Sequence, residues 1–429
     1  MAEMTRPVFR RWHRPLSLTI GLGLLVSVQQ KVCGQEALSL SLAGEEAAQA
    51  NKNATASLGY YNLLMGPAAL RLASGLGVQY DDNIHLQNTD PQGDFIFRPN
   101  VNTQIHWPVT ENNSLDVSVG AGYSAYVRNP DLDQFFVNPG SGLSFNIFVG
   151  DCEINLHDRV SITQNAYQNP TAGGNGNYAQ LENTAGVNTT WDLNKLIAQL
   201  GYDHANDISL GSGQQVPDNS SENWFASVGA HVLPEVTVGV EGGVGLMSYD
   251  RSQSTSTQPD ATQWNAGVFC QAQISEHISG RLDVGYTIYA PSATGAFTNL
   301  NSTADYYFQF SLSHQVNQLF NYSLSGGRST DSSAFGQPFD YYFARVQTGW
   351  NIFKNYQLST PVWWEKGSQL YSLGGTTDYD QYGAGINVGR AITKKLSGNL
   401  AYQLIRESSD RATLNYTVNI VSLNFSYQF

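Results

Sequence analysis

Residues 236 to 246 read Val-Thr-Val-Gly-Val-Glu-Gly-Gly-Val-Gly-Leu, with Val236, Val238, Val240, Gly242, Val244 and Leu246 on one row. Thr237, Gly239, Glu241, Gly243 and Gly245 fall between them. A period of two is the period of a β-strand, whose successive side chains point to opposite faces. Residues 278 to 288 repeat the pattern, with Ile278, Gly280, Leu282, Val284, Tyr286 and Ile288 on one row and Ser279, Arg281, Asp283 and Gly285 on the other. Each such segment has two faces that require two different solvents.

Outward from these two stretches, from Leu70 to Phe429, eighteen segments carry the same signature. They start near residues 70, 95, 114, 137, 152, 179, 195, 220, 236, 261, 278, 303, 319, 339, 356, 377, 395 and 415. The connectors alternate between short ones, such as Gly150 to Asp151 and Leu233 to Glu235, and longer polar ones, such as Ala166 to Tyr178, Ser209 to Asn219 and Gly367 to Thr376. Short and long ends therefore lie on opposite sides. The spacing is about twenty residues per strand and connector, which suits a tilted membrane-crossing strand of about ten residues plus its share of loop.

A soluble β-sandwich is the competing fold. Rows such as Tyr306, Phe308, Phe310 and Leu312 are longer than a sandwich needs, and the polar rows are rich in Gly, Ser, Asn and Gln rather than charge. Tyr123, Trp191, Tyr202, Trp264, Tyr286, Tyr342, Trp350, Tyr356 and Tyr402 cluster near strand ends, where amphipathic rings settle at the headgroup level. The pattern predicts an all-β, transmembrane, antiparallel up-and-down β-barrel of about 18 strands, with short periplasmic turns and longer extracellular loops.

Composition narrows the alternatives. Only 13% of the 429 residues are charged and 12% are aromatic, and 41 Gly stand against three Cys. No run of 18 apolar residues exists to span a bilayer as a helix. Three Cys without a C-x-x-C pair give neither a disulfide framework nor a zinc or redox motif. Basic patches are scarce, so nucleic acid is not an expected partner.

The first 34 residues read as a secretory signal peptide. Arg6, Arg10, Arg11 and Arg14 precede an apolar run from Leu16 to Val28, and small residues follow near Gly34. Removing residues 1–34 takes away five basic groups and Glu3, which moves the formal charge from −13 to −17. Residues 35–66, with a helix-like Glu45 to Ala56, read as a periplasmic lead, and 67–429 as the barrel.

The chain ends on Val421, Leu423, Phe425, Tyr427 and Phe429. This is similar to the terminal signal of bacterial outer-membrane proteins, and the resemblance implies recognition by the barrel-assembly machinery. Gly66-Pro67 followed by Ala73-Ser74-Gly75-Leu76-Gly77-Val78-Gln79-Tyr80-Asp81-Asp82-Asn83-Ile84 resembles the opening of outer-membrane β-barrel porins of Gram-negative bacteria. The resemblance implies an outer-membrane location, with outer-membrane lipid and lipopolysaccharide as surroundings and small polar solutes as cargo. It is silent about which solute.

Motifs for chemistry are few. Gly75-Leu76-Gly77, Gly120-Ala121-Gly122, Gly243-Val244-Gly245 and Gly383-Ala384-Gly385 lie inside alternating segments with no helix following, so they are not phosphate loops. In-strand Gly instead relieves crowding where a curved sheet closes. Asp81, Asp82 and Asn83 offer oxygens for Ca²⁺, or simply a polar turn. No G-x-S-x-G is present and the eight His show no ligand spacing, so no enzyme activity, metal or cofactor is expected. An outward Ser-His pair would be the one route to a lipid-modifying enzyme.

Charge facing lipid costs a few kcal/mol at mid-bilayer and little in a wet lumen. By alternation, Arg71, Arg98, Asp116, Glu153, Arg159 and Glu182 are expected to line a pore, together with Asp203, Glu241, Arg281, Asp283, Arg345 and Glu365. Arg281 and Asp283, two apart on one face, are also placed to pair. Phe225, Phe269, Tyr307, Tyr341, Phe343 and Trp363 fall on the same inner rows, where rings can stack a sugar or wedge an inserted loop. Asp158 falls on an outward row, and the phase slips between Ile420 and Val421; a β-bulge is expected at each. Barrels of 16 to 18 strands typically leave an aqueous channel. The leading expectation is a porin-like channel for passive diffusion of small hydrophilic solutes. The alternative is a non-conducting barrel that serves as scaffold or partner in surface-polysaccharide export.

Overall fold

The structure is a computed structural model that describes residues 61–164, 179–211, 217–250, 259–292, 302–332, 338–353, 355–371 and 375–429. The expected signal peptide, and the lead up to residue 60, lie outside the described residues. A three-residue strand, β1 (Leu63–Met65), precedes eighteen longer ones. These are β2 (Ala68–Asp81), β3 (Asp94–Pro108), β4 (Asn113–Tyr126), β5 (Gln134–Val149), β6 (Cys152–Thr163) and β7 (Gln180–Asp192). Next come β8 (Leu196–Ser209), β9 (Asn219–Leu233), β10 (Val236–Tyr249), β11 (Ala261–Ser275), β12 (Ile278–Pro291) and β13 (Thr303–Gln315). The last six are β14 (Phe320–Ser332), β15 (Pro338–Phe353), β16 (Tyr356–Tyr371), β17 (Gly375–Ala391), β18 (Leu396–Ser409) and β19 (Tyr416–Gln428).

Each strand from β2 to β19 pairs antiparallel with the next, and β19 returns to pair with β2, so the sheet closes. Every expected start falls within three residues of an observed one. At about 3.3 Å per residue and a tilt near 40°, a 14-residue strand rises ~35 Å, enough to cross a bilayer. On β10, Val238, Val240 and Leu246 are exposed on the outside while Glu241, Met247 and Tyr249 are buried on the inside. The fold is a transmembrane up-and-down barrel, with an apolar outward face and a polar inward one. Tyr123, Trp264, Tyr286, Tyr342, Trp350 and Tyr402 are exposed on the outward row.

Four details depart from the sequence reading. β5 starts at Gln134 rather than near residue 137, because the strand runs through Asn138-Pro139-Gly140 as a bulge. Val137 opposes Ile162 and Ser141 opposes Val160, so β5 carries two extra residues there. Gly140 at φ +90° provides the left-handed turn, and Pro139 has no N–H to offer a ladder. β16 and β17 reach Tyr371 and Gly375, into the expected loop from Gly367 to Thr376, because the ladder continues from Lys366↔Asp380 to Tyr371↔Gly375.

The two expected bulges are also placed differently. Around Ile420 and Val421 the register to both neighbours is unbroken. Tyr416, Val418 and Ile420 are simply an inward apolar row, buried near Ile405, and Val421 starts the exposed outward row. Asp158 stays on the outward face of an unbroken β6–β7 ladder, where Asn183 Nδ2 donates to its Oδ1 at 2.7 Å. The irregularity nearest to it is the bulge on β5.

The β13–β14 ladder runs from Gln315↔Asn321 to Phe308↔Arg328 and stops, although both strands continue. Arg328 occupies the point of divergence on the outward face. Its Nη1 donates to the Tyr306 carbonyl at 2.5 Å, and its Nη2 pairs with Asp305 and, at 3.2 Å, with Asp340. The guanidinium carbon lies 4.4 Å from the Tyr306 ring centroid, a cation–π contact. Arg328→Ala strips a buried donor set from two carboxylates and a carbonyl beyond the ladder's end. We expect it to lower stability by about 2 kcal/mol, read as a shift in the guanidinium midpoint of the refolded barrel.

Candidate functional site: the inner wall

All twelve charged residues and all six aromatics expected inside lie on the inward rows, as the cross-strand register shows. Asp116 opposes His106, Glu182 opposes Ser161, Asp203 opposes Gly186, and Glu365 opposes Phe343. Inward placement follows from strict alternation once one residue per strand is fixed by the apolar outer row.

The structure brings five of these residues into one cluster. Arg281 on β12 donates from Nε to Asp283 Oδ1 and from Nη2 to Glu241 Oε2, both at 2.8 Å. Its guanidinium carbon sits 4.6 Å from the centroid of Phe269, on the strand between β10 and β12. Tyr307 donates its hydroxyl to Glu241 Oε1 at 3.3 Å. Two carboxylates therefore share one guanidinium, which leaves the cluster formally at −1. The pairing of Arg281 with Asp283 is thus real, and it recruits Glu241 from two strands away.

A second cluster lies on β15 to β19. Arg345 Nη2 is 3.8 Å from Glu365 Oε2, and Tyr379 donates its hydroxyl to Glu365 Oε1 at 2.8 Å. Glu365, Gln381 and Glu407 are consecutive register partners. Gln381 Nε2 donates to Glu407 Oε2 at 3.3 Å and to the Tyr416 hydroxyl at 3.1 Å, while Trp363 Nε1 donates to Gln381 Oε1 at 3.4 Å. Gln381, Glu407, Tyr379 and Tyr416 were not among the sequence candidates. Parity along residues 377 to 388 and 396 to 407 is the signal that finds the first three; Tyr416 opens β19, where the inward row is apolar and parity gives no such signal.

The wall from β2 to β8 differs in chemistry. Asn138 Nδ2 donates to Asn102 Oδ1 at 3.0 Å, and Asn102 Nδ2 donates to Asn100 Oδ1 at 2.9 Å. Arg98 reaches Ser124 Oγ and Gln79 Oε1. His157 Nε2 lies 2.6 Å from Asp203 Oδ1, and His106 Nδ1 lies 2.7 Å from Asp116 Oδ1. Glu153, Glu182, Arg71 and Arg159 face inward on the same wall without joining these clusters through any of the bonds just described. Both sides of the interior are ionic; β2 to β8 add a run of amides, and β9 to β19 add buried aromatic rings.

The inward aromatics do not project into the lumen. Phe225, Phe269, Tyr307, Tyr341, Phe343 and Trp363 are between 1% and 7% exposed. Several lie along the wall over an in-strand Gly of a neighbouring strand. A Cβ at Gly201 would stand 2.5 Å from Phe225, one at Gly285 would stand 2.4 Å from Tyr307, and one at Gly383 would stand 1.8 Å from Trp363. These Gly are sockets for rings, a device that fills the space over a bare backbone. The rings are spent on the wall, so a solute finds no open ring face there.

The Asp81-Asp82-Asn83 motif is likewise spent on the protein. Asp82 Oδ1 and Oδ2 accept from Asn419 N and Nδ2, each at 2.7 Å. Asn83 Nδ2 donates to the Thr417 carbonyl at 3.0 Å, and Asp81 Oδ1 accepts from Asn83 N at 2.8 Å. The motif joins the first barrel strand to the last. On the outward face, His204 is bonded to Glu222 and His314 to Tyr322.

Fold and inner wall together define a large transmembrane β-barrel in the strand-number class whose interior side chains do not fill. No family model matches the chain, and no curated protein matches it. Among solved structures it is similar to OccK2 (OpdF) of Pseudomonas aeruginosa in complex with glucuronate, at TM-score 0.48 and 9% identity, covering 84% of this chain and 98% of that one. It is also similar to OccAB2 of Acinetobacter baumannii, at TM-score 0.46 and 12% identity over 85% and 99%. A third is OpdK of Pseudomonas aeruginosa with vanillate, at TM-score 0.45 and 10% identity over 84% and 98%.

Proposed function

We propose that this chain is an outer-membrane channel that passes small hydrophilic solutes by passive diffusion. The observation that carries the reading is a closed 18-stranded barrel whose inward rows hold ionic and amide side chains while its outward rows are apolar. On this reading the short turns face the periplasm and the longer loops face outside. Residues 1–34 direct export, and the terminal Phe429 addresses the barrel-assembly machinery.

The test is single-channel conductance of the refolded mature chain in planar bilayers. A steady open conductance of porin size supports the channel. A folded barrel that stays closed supports the scaffold reading instead, which the buried inward sector of Tyr379, Ile405, Tyr416, Val418 and Ile420 favours. Adding candidate sugars to the same bilayer tests whether any ring comes free to stack one.

The charge clusters make a directional prediction. Arg281→Gln removes the cluster's one positive charge, taking its formal charge from −1 towards −2 and no further than proton uptake by the buried acids allows, and Glu241→Gln takes it to zero. Arg281→Gln is expected to raise the cation-to-anion permeability ratio and Glu241→Gln to lower it, each by about twofold, since a fixed charge acts over roughly a Debye length. Reversal potentials in a salt gradient read both. Unchanged ratios in both variants remove this cluster from the conduction path.

A further inference from the structure

β1 runs antiparallel to β2, from Leu63↔Leu70 to Met65↔Ala68, and Gly66-Pro67 then turns the chain up into β2 at the turn end of the barrel. The chain before β1 therefore arrives from the level of Leu72, inside the height of the wall, and not from the rim. The wall position above β1 is taken. Gln428 opposes Ala73, and Phe429 N donates to the Leu72 carbonyl at 3.2 Å. Asn62 closes the remaining step with its side chain: Nδ2 donates to the Leu72 carbonyl at 2.6 Å and Oδ1 accepts from Leu72 N at 2.8 Å, while its own N–H still donates to the Leu70 carbonyl at 3.0 Å. A side chain thus ends the ladder, and the backbone leaves the sheet at Tyr61.

Two sides of the wall are left for it. On the outward face Leu72, Leu76 and Phe429 are exposed for lipid, where irregular backbone carrying Lys52, Asn53, Thr55 and Ser57 finds no hydrogen-bond partner. The lumen face offers what that backbone needs. Its floor is low, since Ala73, Ser426, Ser422, Ser397, Ala401 and Gly389 are inward residues on neighbouring strands from β2 through β19 and β18 to β17. Among them Asn387 Oδ1, Asn399 Oδ1 and Gln403 Nε2 are shielded from solvent and bonded to no described group. Such atoms are unfavourable without a partner, and an extended segment brings one donor and one acceptor per residue. Arg71 faces inward between the two residues that Asn62 holds, with no hydrogen bond or ion pair to a described residue.

We infer that the inner wall of β17 to β19 and β2 is the docking face for this chain's own lead, residues 52–60, which lies inside the barrel and not in the periplasm. The sequence suits the floor. Asn53-Ala54-Thr55-Ala56-Ser57-Leu58-Gly59-Tyr60 carries no charge, and most of its side chains are short. The reach suits it too. Lys52 stands nine residues before Tyr61, ~30 Å of extended chain, and β2 itself continues nine residues from Leu72 to Asp81, so Lys52 is still within the wall. Glu45 and Glu46 lie further back along the chain and take no part in the seat.

The inference rests on the closed barrel and not on conduction, so a conducting barrel with an accessible lead overturns it alone, and a closed barrel with a seated lead overturns only the channel. The wild-type chain supplies the first probe, because Lys52 is the one Lys or Arg between Gln35 and Tyr60 and trypsin is too large to enter the lumen. In the refolded mature chain Lys52 should be cut at least tenfold more slowly than in the same chain before refolding, read by mass spectrometry. Equal rates overturn the inference, and no variant has to fold for that result. The face is tested by disulfide trapping in intact membranes, with Cys33, Cys152 and Cys270 changed to Ser. Ala54→Cys with Ala401→Cys should close an intramolecular disulfide several-fold more efficiently than Ala54→Cys with Gln271→Cys, whose wall position is inward on β11 across the barrel. Equal trapping by the two pairs overturns the assigned face, and so does protection of Lys52 without trapping, the result expected of a lead held outside in detergent or lipid.

Discussion

Replacing Gly383 with Val is expected to prevent the barrel from reaching its compact form, or to destabilise it by at least 3 kcal/mol. A Cβ there falls 1.8 Å from Trp363 Cζ2, and the next two nearest atoms are in the same ring. Trp363 is 6% exposed, with its indole N–H held by Gln381, so the ring has nowhere to go. Overpacking a filled site costs about 1–3 kcal/mol and more where relaxation is blocked. The control is the same substitution in a Trp363→Ala background. There Val meets no ring and suits a strand better than Gly does, so its added effect is expected near zero. Guanidinium midpoints of the four proteins close the cycle, and equal damage by Val in both backgrounds refutes the socket.

The second large effect concerns closure. β19 and β2 are joined by nine register pairs, from Gln428↔Ala73 to Ile420↔Asp81. At the loop end Asp82 and Asn83 extend the joint through the two contacts to Asn419 and the one to Thr417. Asp82→Ala with Asn83→Ala removes a carboxylate that satisfies two donors and a buried carboxamide that satisfies backbone groups. Hydrogen bonds to charged groups contribute about 1.5–3 kcal/mol and neutral ones about 1 kcal/mol, so a loss of about 4 kcal/mol is expected. In denaturing gels of samples heated in steps before loading, the compact band should disappear at a lower temperature than for the wild type. Asp131→Ala, an exposed acid in the next loop, should leave that temperature unchanged. A clasp variant with wild-type heat resistance would mean that the nine-pair ladder closes the barrel unaided.

Much of this was legible in the sequence because a strand's period of two is a local property. Each outer row, such as Leu72, Leu76 and Tyr80 on β2 or Leu400, Tyr402 and Leu404 on β18, assigns every second residue to the inside. That reasoning placed Glu241, Arg281 and Asp283 on one face without any knowledge of neighbours. It failed where an inner row turned apolar. Val418 and Ile420 read as a slip of phase because alternation assumes a wet interior, whereas here that sector is buried. It also started β5 near residue 137 rather than at Gln134, because the bulge at Asn138-Pro139-Gly140 interrupts the alternation within the strand. The role of the Gly residues was half visible: crowding was the right reason, but which ring fills each socket is set by the stagger between strands.

Strand number, the alternation of short and long ends, and the sorting of side chains into two faces were determined by the sequence alone, since each rests on local periodicity and turn chemistry. Which charges meet was decided only by tertiary structure. Arg281 reaches Glu241 across two ladder steps, Asp82 meets Asn419 across 337 residues of chain, and Asp158 shares a row with Glu222 only when β6 to β9 are in register. Cross-strand register is a collective property of a closed sheet, fixed by shear and closure rather than by any one segment.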